Sequence, residues 1–251
     1  MLNFRYLHGR KSLLVTFHAL EDERMKEQNF LSPWLDSLPF AWPLLEKIGK
    51  KQIYQKNEAV YHQHQPADTI YLIHEGRVRL YSISTTGEEK MIAIIGKNGL
   101  LGENCIFHED VYYSSAMAVT RSVISKIHPS DFKQIIFRNE QYLMQVMEMM
   151  NWKIRVLSEH AVLLAFNSSF QRLCKTLVQL AVKYGEKTAD GRIRINIPFT
   201  LQEFANQIGT TRVTVANHIK KLNDSQVISK KDKYYYIHDL VKLMNMAATS
   251  S

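Results

Sequence analysis

"TLQEFANQIGTTRVTVANHIKKL", residues 200–222, is the stretch on which the reading of this chain turns. Thr200 followed three positions later by Glu203 is the pattern of a capping box, in which each side chain satisfies a free backbone N–H at a helix start. Phe204, Ala205 and Ile208 recur at helical spacing as an inward face. Gly209 interrupts the pattern and can supply a tight turn at no steric cost. A second helix is predicted from Thr211 to Leu222, burying Val215, Ile219 and Leu222 and carrying Arg212, Thr214, Asn217, His218 and Lys221 outside. Helix, glycine turn and a second helix with a polar outer face make a helix-turn-helix, whose second helix can lie in the major groove of DNA.

The flanks extend this unit. "VISKKDKYYYIHDL" reads as two strands around a Lys-Asp-Lys turn, a wing, and "GRIRINIPF" as a short strand before the first helix. Ser168 is placed to cap a helix over "SFQRLCKTLVQLAVKYG", which Tyr184-Gly185 closes. From Phe170 onward there are 13 Lys+Arg against 6 Asp+Glu, a balance of +7 in a chain whose net charge is +8. A basic unit on a nearly neutral body suits a polyanion, because neutralising phosphates releases counterions.

Upstream the pattern changes twice. "EQYLMQVMEMMNWKIRVLSEHAVLLAF" holds about 27 residues without Gly or Pro, a helix approaching ~40 Å. Leu143, Met147, Met150, Ile154, Leu157, Ala161 and Leu164 form a heptad stripe, the seam expected against a second copy of the same helix. Met144, Met149 and Val156 lie off the seam and are expected to pack on the preceding body. A short helix, capped near Ser130 or Asp131, is predicted over "SDFKQIIFRN". Before it, from Lys51, come short runs with period two: "AVYHQ", "TIYLIHEG", "RVRLYSIS", "KMIAIIG" and "KNGLLGE", with "TTGEEK" as a glycine turn. In "RVRLYSIS" the apolar set Val78, Leu80 and Ile83 alternates imperfectly with Arg79, Tyr81 and Ser82. Many such strands predict an antiparallel barrel or jelly roll. "SPWLDSLPFAWPLLEKIG", broken by Pro33, Pro39 and Pro43, is read as short helical turns.

The order of these features resembles the cyclic-AMP receptor protein and fumarate-nitrate regulator superfamily of bacterial transcription factors, over about Lys51 to Asp239. The "IYLIHEGRVRLY" strand pair, "GLLGENCIF", the long helix and the helix-turn-helix carry the resemblance. Residues 1–30, with little periodicity, are read as an extension; the resemblance implies an α+β fold after it, with an effector-sensing β-roll like a cyclic-nucleotide-binding jelly roll at 31–139, a dimerisation helix with hinge at 140–167, and a winged helix-turn-helix at 168–251. It also implies a homodimer that reads an inverted repeat in double-stranded DNA, answers a small-molecule effector and works with RNA polymerase.

Gly102 and Glu103 match the Gly-Glu pair of the cyclic-nucleotide binders, but "YYSSAMA", residues 112–118, has no arginine where theirs pairs with the cyclic phosphate. Cyclic AMP is therefore not the expected effector. The polar pair that meets adenine aligns near Leu157 and Ser158. Tyr112, Tyr113, Ser114 and Ser115 suit a small aromatic held by stacking and hydroxyl hydrogen bonds. Regulators of reductive dehalogenation resemble this chain in lacking that arginine, and they sense halogenated phenols. On the second helix Val213 and Asn217 stand where the family commonly has the glutamate and arginine that read C and G. With Arg212 they predict half-sites richer in A and T. Thr200, Gln202, Lys220 and Lys221 are placed for backbone phosphates.

Other classes find less in the sequence. Cys105 and Cys174 are too few and too far apart for a four-cysteine cluster or a zinc framework. His62 and His64, two apart on an expected strand, invite a cupin-like metalloenzyme, but Glu75 is too distant to complete its ligand set. His74 or His108 as a haem ligand is the remaining rival. No catalytic nucleophile with its base is found, no cofactor is called for, and no apolar run reaches the ~20 residues that span a bilayer. A cytoplasmic regulator is expected. "EDERMKEQ" lies within the extension, where Met25 offers a second start.

Overall fold

The computed structural model describes residues 33–107 and 111–248; the extension at 1–30, with Met25, and His108 lie outside the described residues. Nine strands and three helices come first: β1 (Trp34–Ser37), α1 (Pro43–Ile48), β2 (Lys50–Tyr54), β3 (Ala59–Tyr61), β4 (Ile70–Glu75), β5 (Val78–Ile83), β6 (Glu89–Lys97), β7 (Leu100–Leu101), β8 (Ser115–Ala118), β9 (Ser122–Ile127), α2 (Pro129–Phe137) and α3 (Glu140–Phe166). A 3₁₀ turn at Glu103–Phe107 precedes β8. The winged unit follows: α4 (Ser169–Tyr184), β10 (Gly185–Lys187), β11 (Ile193–Ile195), α5 (Leu201–Ile208), α6 (Arg212–Asp224), β12 (Ile228–Lys231), β13 (Tyr234–Ile237) and α7 (Leu240–Ala248).

The roll is two facing sheets, β1-β6-β5-β8-β3 and β2-β9-β4-β7. Alternation along β4, β5 and β6 turns Tyr71, Ile73, Val78, Leu80, Ala93 and Ile95 into the space between them. β5 runs in regular register with β8, and the shift in its pairing with β6 between Leu80 and Tyr81 places the extra residue, Ile92, on β6. Tyr81 is buried and Ile83 is 39 % exposed, the reverse of the alternation read from the sequence.

Two expectations are corrected. The roll is not wholly antiparallel, and the first proline-bounded segment is a strand. β1 joins β6 in parallel, with Trp34 opposite Ile94 and Leu35 opposite Ile95. Ile94 N–H donates to Pro33 O at 2.9 Å and Leu38 N–H to Lys97 O at 3.1 Å, so the strand sits at a sheet edge, where proline is tolerated. Helix appears only at Pro43, in the first turn of α1. The cap of α2 also differs: His128 takes that place, its Nδ1 accepting from Ser130 N–H at 3.3 Å.

α3 has the predicted 27 residues, capped by Asn139, which accepts from Tyr142 N–H at 3.1 Å. Its roll-facing stripe is Tyr142, Val146, Met149 and Val156. Met149 and Val156 pack as expected, whereas Met144 stands 58 % exposed because it falls between the stripe positions. The first three stripe residues close a second core with Trp42, Leu45, Leu72, Phe132 and Ile136. Val156 enters the core between the sheets. In the winged unit β10-β11-β13-β12 form one sheet; β10 and the closing α7 have no counterpart in the sequence reading.

Gly96 lets β1 approach β6: a Cβ there would stand 1.9 Å from Asp36 O. Gly96→Ala is therefore expected to lower stability by about 1–3 kcal/mol, read as a lower urea midpoint with unchanged slope.

Candidate nucleic-acid interface and effector pocket

The opening stretch folds as its local chemistry dictates. Glu203 N–H donates to Thr200 Oγ1 at 3.1 Å and Thr200 N–H to Glu203 Oε2 at 2.6 Å. Phe204, Ala205 and Ile208 are buried, and Phe204 meets Tyr235 edge-on at 5.4 Å. Gly209 has φ +66, the left-handed turn that starts the reversal into α6. Thr211 caps α6 by accepting from Thr214 N–H at 3.1 Å, and the two hydroxyls bond at 2.9 Å. Val215 and Leu222 are buried beneath.

The outer face of α6 presents Arg212, Val213 (70 % exposed), Asn217, Lys220 and Lys221. Thr200 and Gln202 are exposed on α5, where Gln202 donates to Asn206 at 2.7 Å. His218 turns the other way. Its Nε2 pairs with Ser169 Oγ at 2.9 Å and its ring meets Phe170 edge-on at 5.3 Å. Burial and the nearby Lys221 lower its pKa, so it holds α6 to α4 as a neutral ring. Lys221 lies 4.5 Å over Phe170. The wing adds cations beyond the predicted site residues. Lys230 and Lys231 are exposed, and Lys233 lies 5.4 Å over Tyr234. "KKDKYYY" is their signal: lysines beside aromatic rings at a hairpin tip.

The winged unit packs on the roll through the end of α5. Lys90 of the roll donates to Gln207 O, and within the winged unit Arg172 of α4 donates to Ile208 O at 2.7 Å and to Gly209 O at 3.2 Å. Helix carbonyl ends attract cations. Asn206 Nδ2 reaches Glu89 at 3.1 Å, and Gln207 Nε2 contacts His160 of α3 at 3.3 Å. Gln202, Thr211 and Arg212 thereby share an open cleft with the β5–β6 hairpin.

Inside the roll the predicted effector residues divide. Gly102 has φ +73, and Glu103, 5 % exposed, is ion-paired with Lys153 of α3, which also donates to Leu100 O at 2.9 Å. Tyr112 is buried and stacks on Tyr61 at 4.0 Å, with Tyr71 another 5.4 Å from Tyr61. Its hydroxyl donates to Thr69 O at 2.6 Å, and burial raises the pKa of all three tyrosines. Ser114 and Ser115 are buried beside them, Ser115 Oγ accepting from Gln63 N–H at 3.0 Å. Tyr113 is 52 % exposed, Leu157 45 %, and Ser158 is exposed, so these three are not buried with the interior group, although Tyr113 still acts electrostatically on Tyr61. The sequence reading misses Tyr61, Tyr71 and Lys153. Lys153 has a signal, a charge four after Met149 and three before Val156 on the roll-facing stripe.

The metal reading does not survive its geometry. β3 ends at Tyr61 and His64 has φ +68, so the two histidines do not share a strand face. Among the described residues no group of three His, Cys, Asp or Glu is placed to hold a metal. His74 Nε2 bonds Ser125 Oγ at 2.7 Å. Burial raises the Cys105 thiol to about 11 and Cys174 to about 12.

A sensor roll, a long helix and a winged helix-turn-helix with a basic outer face define a DNA-binding transcription regulator, not an enzyme. Residues 51–139 match the family described as cyclic nucleotide-binding domain, and residues 171–246 the Crp-like helix-turn-helix domain. The chain belongs to the Crp/Fnr superfamily of regulators. It is 28 % identical over 186 residues to the cAMP-activated global transcriptional regulator CRP of Salmonella typhimurium, covering 74 % of this chain and 88 % of that protein. The fumarate and nitrate reduction regulatory protein of Vibrio cholerae is 24 % identical over 203 residues, covering 81 % and 80 %. The solved structure of OCPA-complexed CprK superposes with a TM-score of 0.65 at 16 % identity, covering 84 % of this chain and 97 % of that one, a likeness of fold.

Lys90 offers a test of the contact between roll and winged unit. Burial, then the charge of Arg172, lowers its ammonium pKa to about 8; His160 and Glu89 are its other titratable neighbours. A lowered lysine pKa means the unfolded chain binds the proton more tightly, so this group's contribution to stability grows from about pH 8 to the ordinary lysine range and is level outside it. Lys90→Met abolishes that rise. The difference in melting temperature, variant minus wild type, is expected to be most positive below pH 8 and to shrink across the window.

Proposed function

We propose that this protein is a cytoplasmic homodimeric regulator that binds an inverted repeat in double-stranded DNA, under the control of a small effector and in partnership with RNA polymerase. The observation that carries the DNA reading is the outer face of α6, where Arg212, Val213, Asn217 and Lys220 stand exposed behind the left-handed turn at Gly209. Arginine pairs with guanine or phosphate, asparagine with adenine, and valine with the thymine methyl. Thr200, Gln202, Thr211 and the wing lysines are assigned to phosphates. Thr214 and His218 support the helix from behind.

The dimer reading rests on what α3 leaves uncovered. Met147 is 56 % exposed, Ile154 59 %, Leu157 45 % and Leu164 46 %, with Ala161 exposed between them; Leu143 and Met150, at the other end of the stripe, are half-buried. Apolar residues at heptad spacing along a rigid rod fit a second copy of the same rod. The two recognition helices then belong to one symmetric body.

For the effector, the pairing of Glu103 with Lys153 and the stack of Tyr61, Tyr71 and Tyr112 favour a small aromatic over a cyclic nucleotide. A planar ring can replace a tyrosine face in the stack, whereas a cyclic phosphate meets Ser114 and Ser115 without an arginine. Gly102, Glu103, Tyr112, Ser114 and Ser115 are assigned to this site, with Tyr113, Leu157 and Ser158 at its margin. The ligand acts by favouring one arrangement of the winged units, which requires unequal affinity for the two arrangements.

Selection from random duplexes is expected to return half-sites rich in A and T; a consensus rich in G and C contradicts the assignment of Val213 and Asn217. Arg212→Ala is expected to weaken specific binding by about 1–3 kcal/mol, measured by fluorescence anisotropy at fixed salt. Ile154→Glu is expected to halve the sedimentation mass, and an unchanged mass rejects the seam.

A further inference from the structure

The outer face of the five-stranded sheet, opposite the tyrosine-filled interior, does not lie bare. Where the segment leading into α5 crosses it, a partly open cavity of about 350 Å³ lies between roll and winged unit. Its apolar walls come from both sides: Trp34, Met91 and Ile94 from the roll, Pro198 and Phe199 from the winged unit. Trp34 and Phe199 meet at 6.2 Å between ring centroids. A cavity of this size is within the range of small-molecule sites, which combine apolar walls with a few placed polar groups.

Three of the six polar side chains here are cationic. Lys56, Arg77 and Arg79 line the cavity, and Glu203 is the acidic side chain among its lining residues. The Glu203 carboxylate already accepts from Thr200 N–H at 2.6 Å. Arg79 is matched by Glu89 at 2.9 Å. Arg77 lies 5.5 Å over the Tyr184 ring. The acid nearest it in effect is Asp36, which has Lys183 at 3.8 Å and accepts from the Tyr184 hydroxyl. Lys56 is exposed and makes no ion pair among the described residues. Lys56 and Arg77 therefore face an apolar chamber whose one lining carboxylate, Glu203, is already engaged at the start of α5.

We propose that this interdomain cavity is a second ligand site, built for an amphipathic monoanion: a compact aromatic body against Trp34, Ile94 and Phe199, with a carboxylate between Arg77 and Lys56. Arginine pairs with carboxylate through two parallel N–H donors, and the lysine adds a point charge at the rim. The site is separate from the tyrosine-lined interior and shares no residue with it. Because its walls belong to both units, an occupant favours the arrangement in which the winged unit rests on its own roll.

The test is calorimetric titration of the full chain, without DNA, with 1-naphthoate and with the neutral 1-naphthylmethanol. The naphthoate is expected to bind at least about tenfold more tightly than the alcohol. Arg77→Gln is expected to weaken the naphthoate about tenfold or more, and Val119→Phe, which fills the cavity from the loop after β8, to abolish its binding. Lys56→Gln changes an exposed side chain whose loss leaves the fold intact, and is expected to weaken binding about threefold or more. Equal affinity for acid and alcohol, or unchanged affinity in Lys56→Gln or in folded Val119→Phe, overturns the proposal. DNA affinity is scored separately, so failure here leaves the DNA-binding reading standing.

Discussion

α3 has two opposed apolar demands, and the rest of the structure is arranged around meeting them. One stripe, Tyr142, Val146, Met149 and Val156, is buried against the roll and its flanking helices. The other, from Met147 to Leu164, is left open. A rod of 27 residues cannot be bent to cover both. Burying the first stripe fixes the rod to the sensor, and the second is then available only to something outside the subunit. Lys153 falls on the buried stripe and brings its charge with it, so Glu103 must be close. A polar tie between helix and roll thus follows from the same geometry that buries the apolar residues.

The junction with the winged unit is of another kind. It relies on polar contacts, Lys90 to Gln207 O, Asn206 to Glu89 and Gln207 to His160, beside the Trp34–Tyr184 edge contact and the apolar walls of the cavity. Interfaces of this composition are more readily rearranged than cores. The contrast suits a regulator: the sensor and its helix are packed as one solid, while the DNA-binding unit is attached by hydrogen bonds that can be exchanged for water.

What was legible in the sequence was what local chemistry determines. The capping box at Thr200 and Glu203, the turn at Gly209 and the cap at Ser168 each involve residues within four positions, and all formed as read. Strand alternation failed at Tyr81, which is buried with Arg79 lying 4.5 Å over its ring, a cover that packing supplies and no period reveals. β1 was hidden because its partner lies about 60 residues on and its prolines imitate turn signals. The tyrosine stack was half legible. Tyr112 stands out beside the missing arginine, but Tyr61 and Tyr71 come from other strands, and only the sheet packing brings the three rings together. Arg77 and Lys56 had no signal at all, because the wall that makes them a pair arrives from the winged unit.

The elbow between α3 and α4 is two residues, and both are occupied. Asn167 N–H donates to Leu163 O at 3.1 Å while its own carbonyl accepts from Arg172 at 2.7 Å. Ser168 exchanges two hydrogen bonds with Gln171. Such a joint does not swing freely. To change its angle it must first unlatch a cap on one side, so the joint behaves as a latch rather than a slack tether.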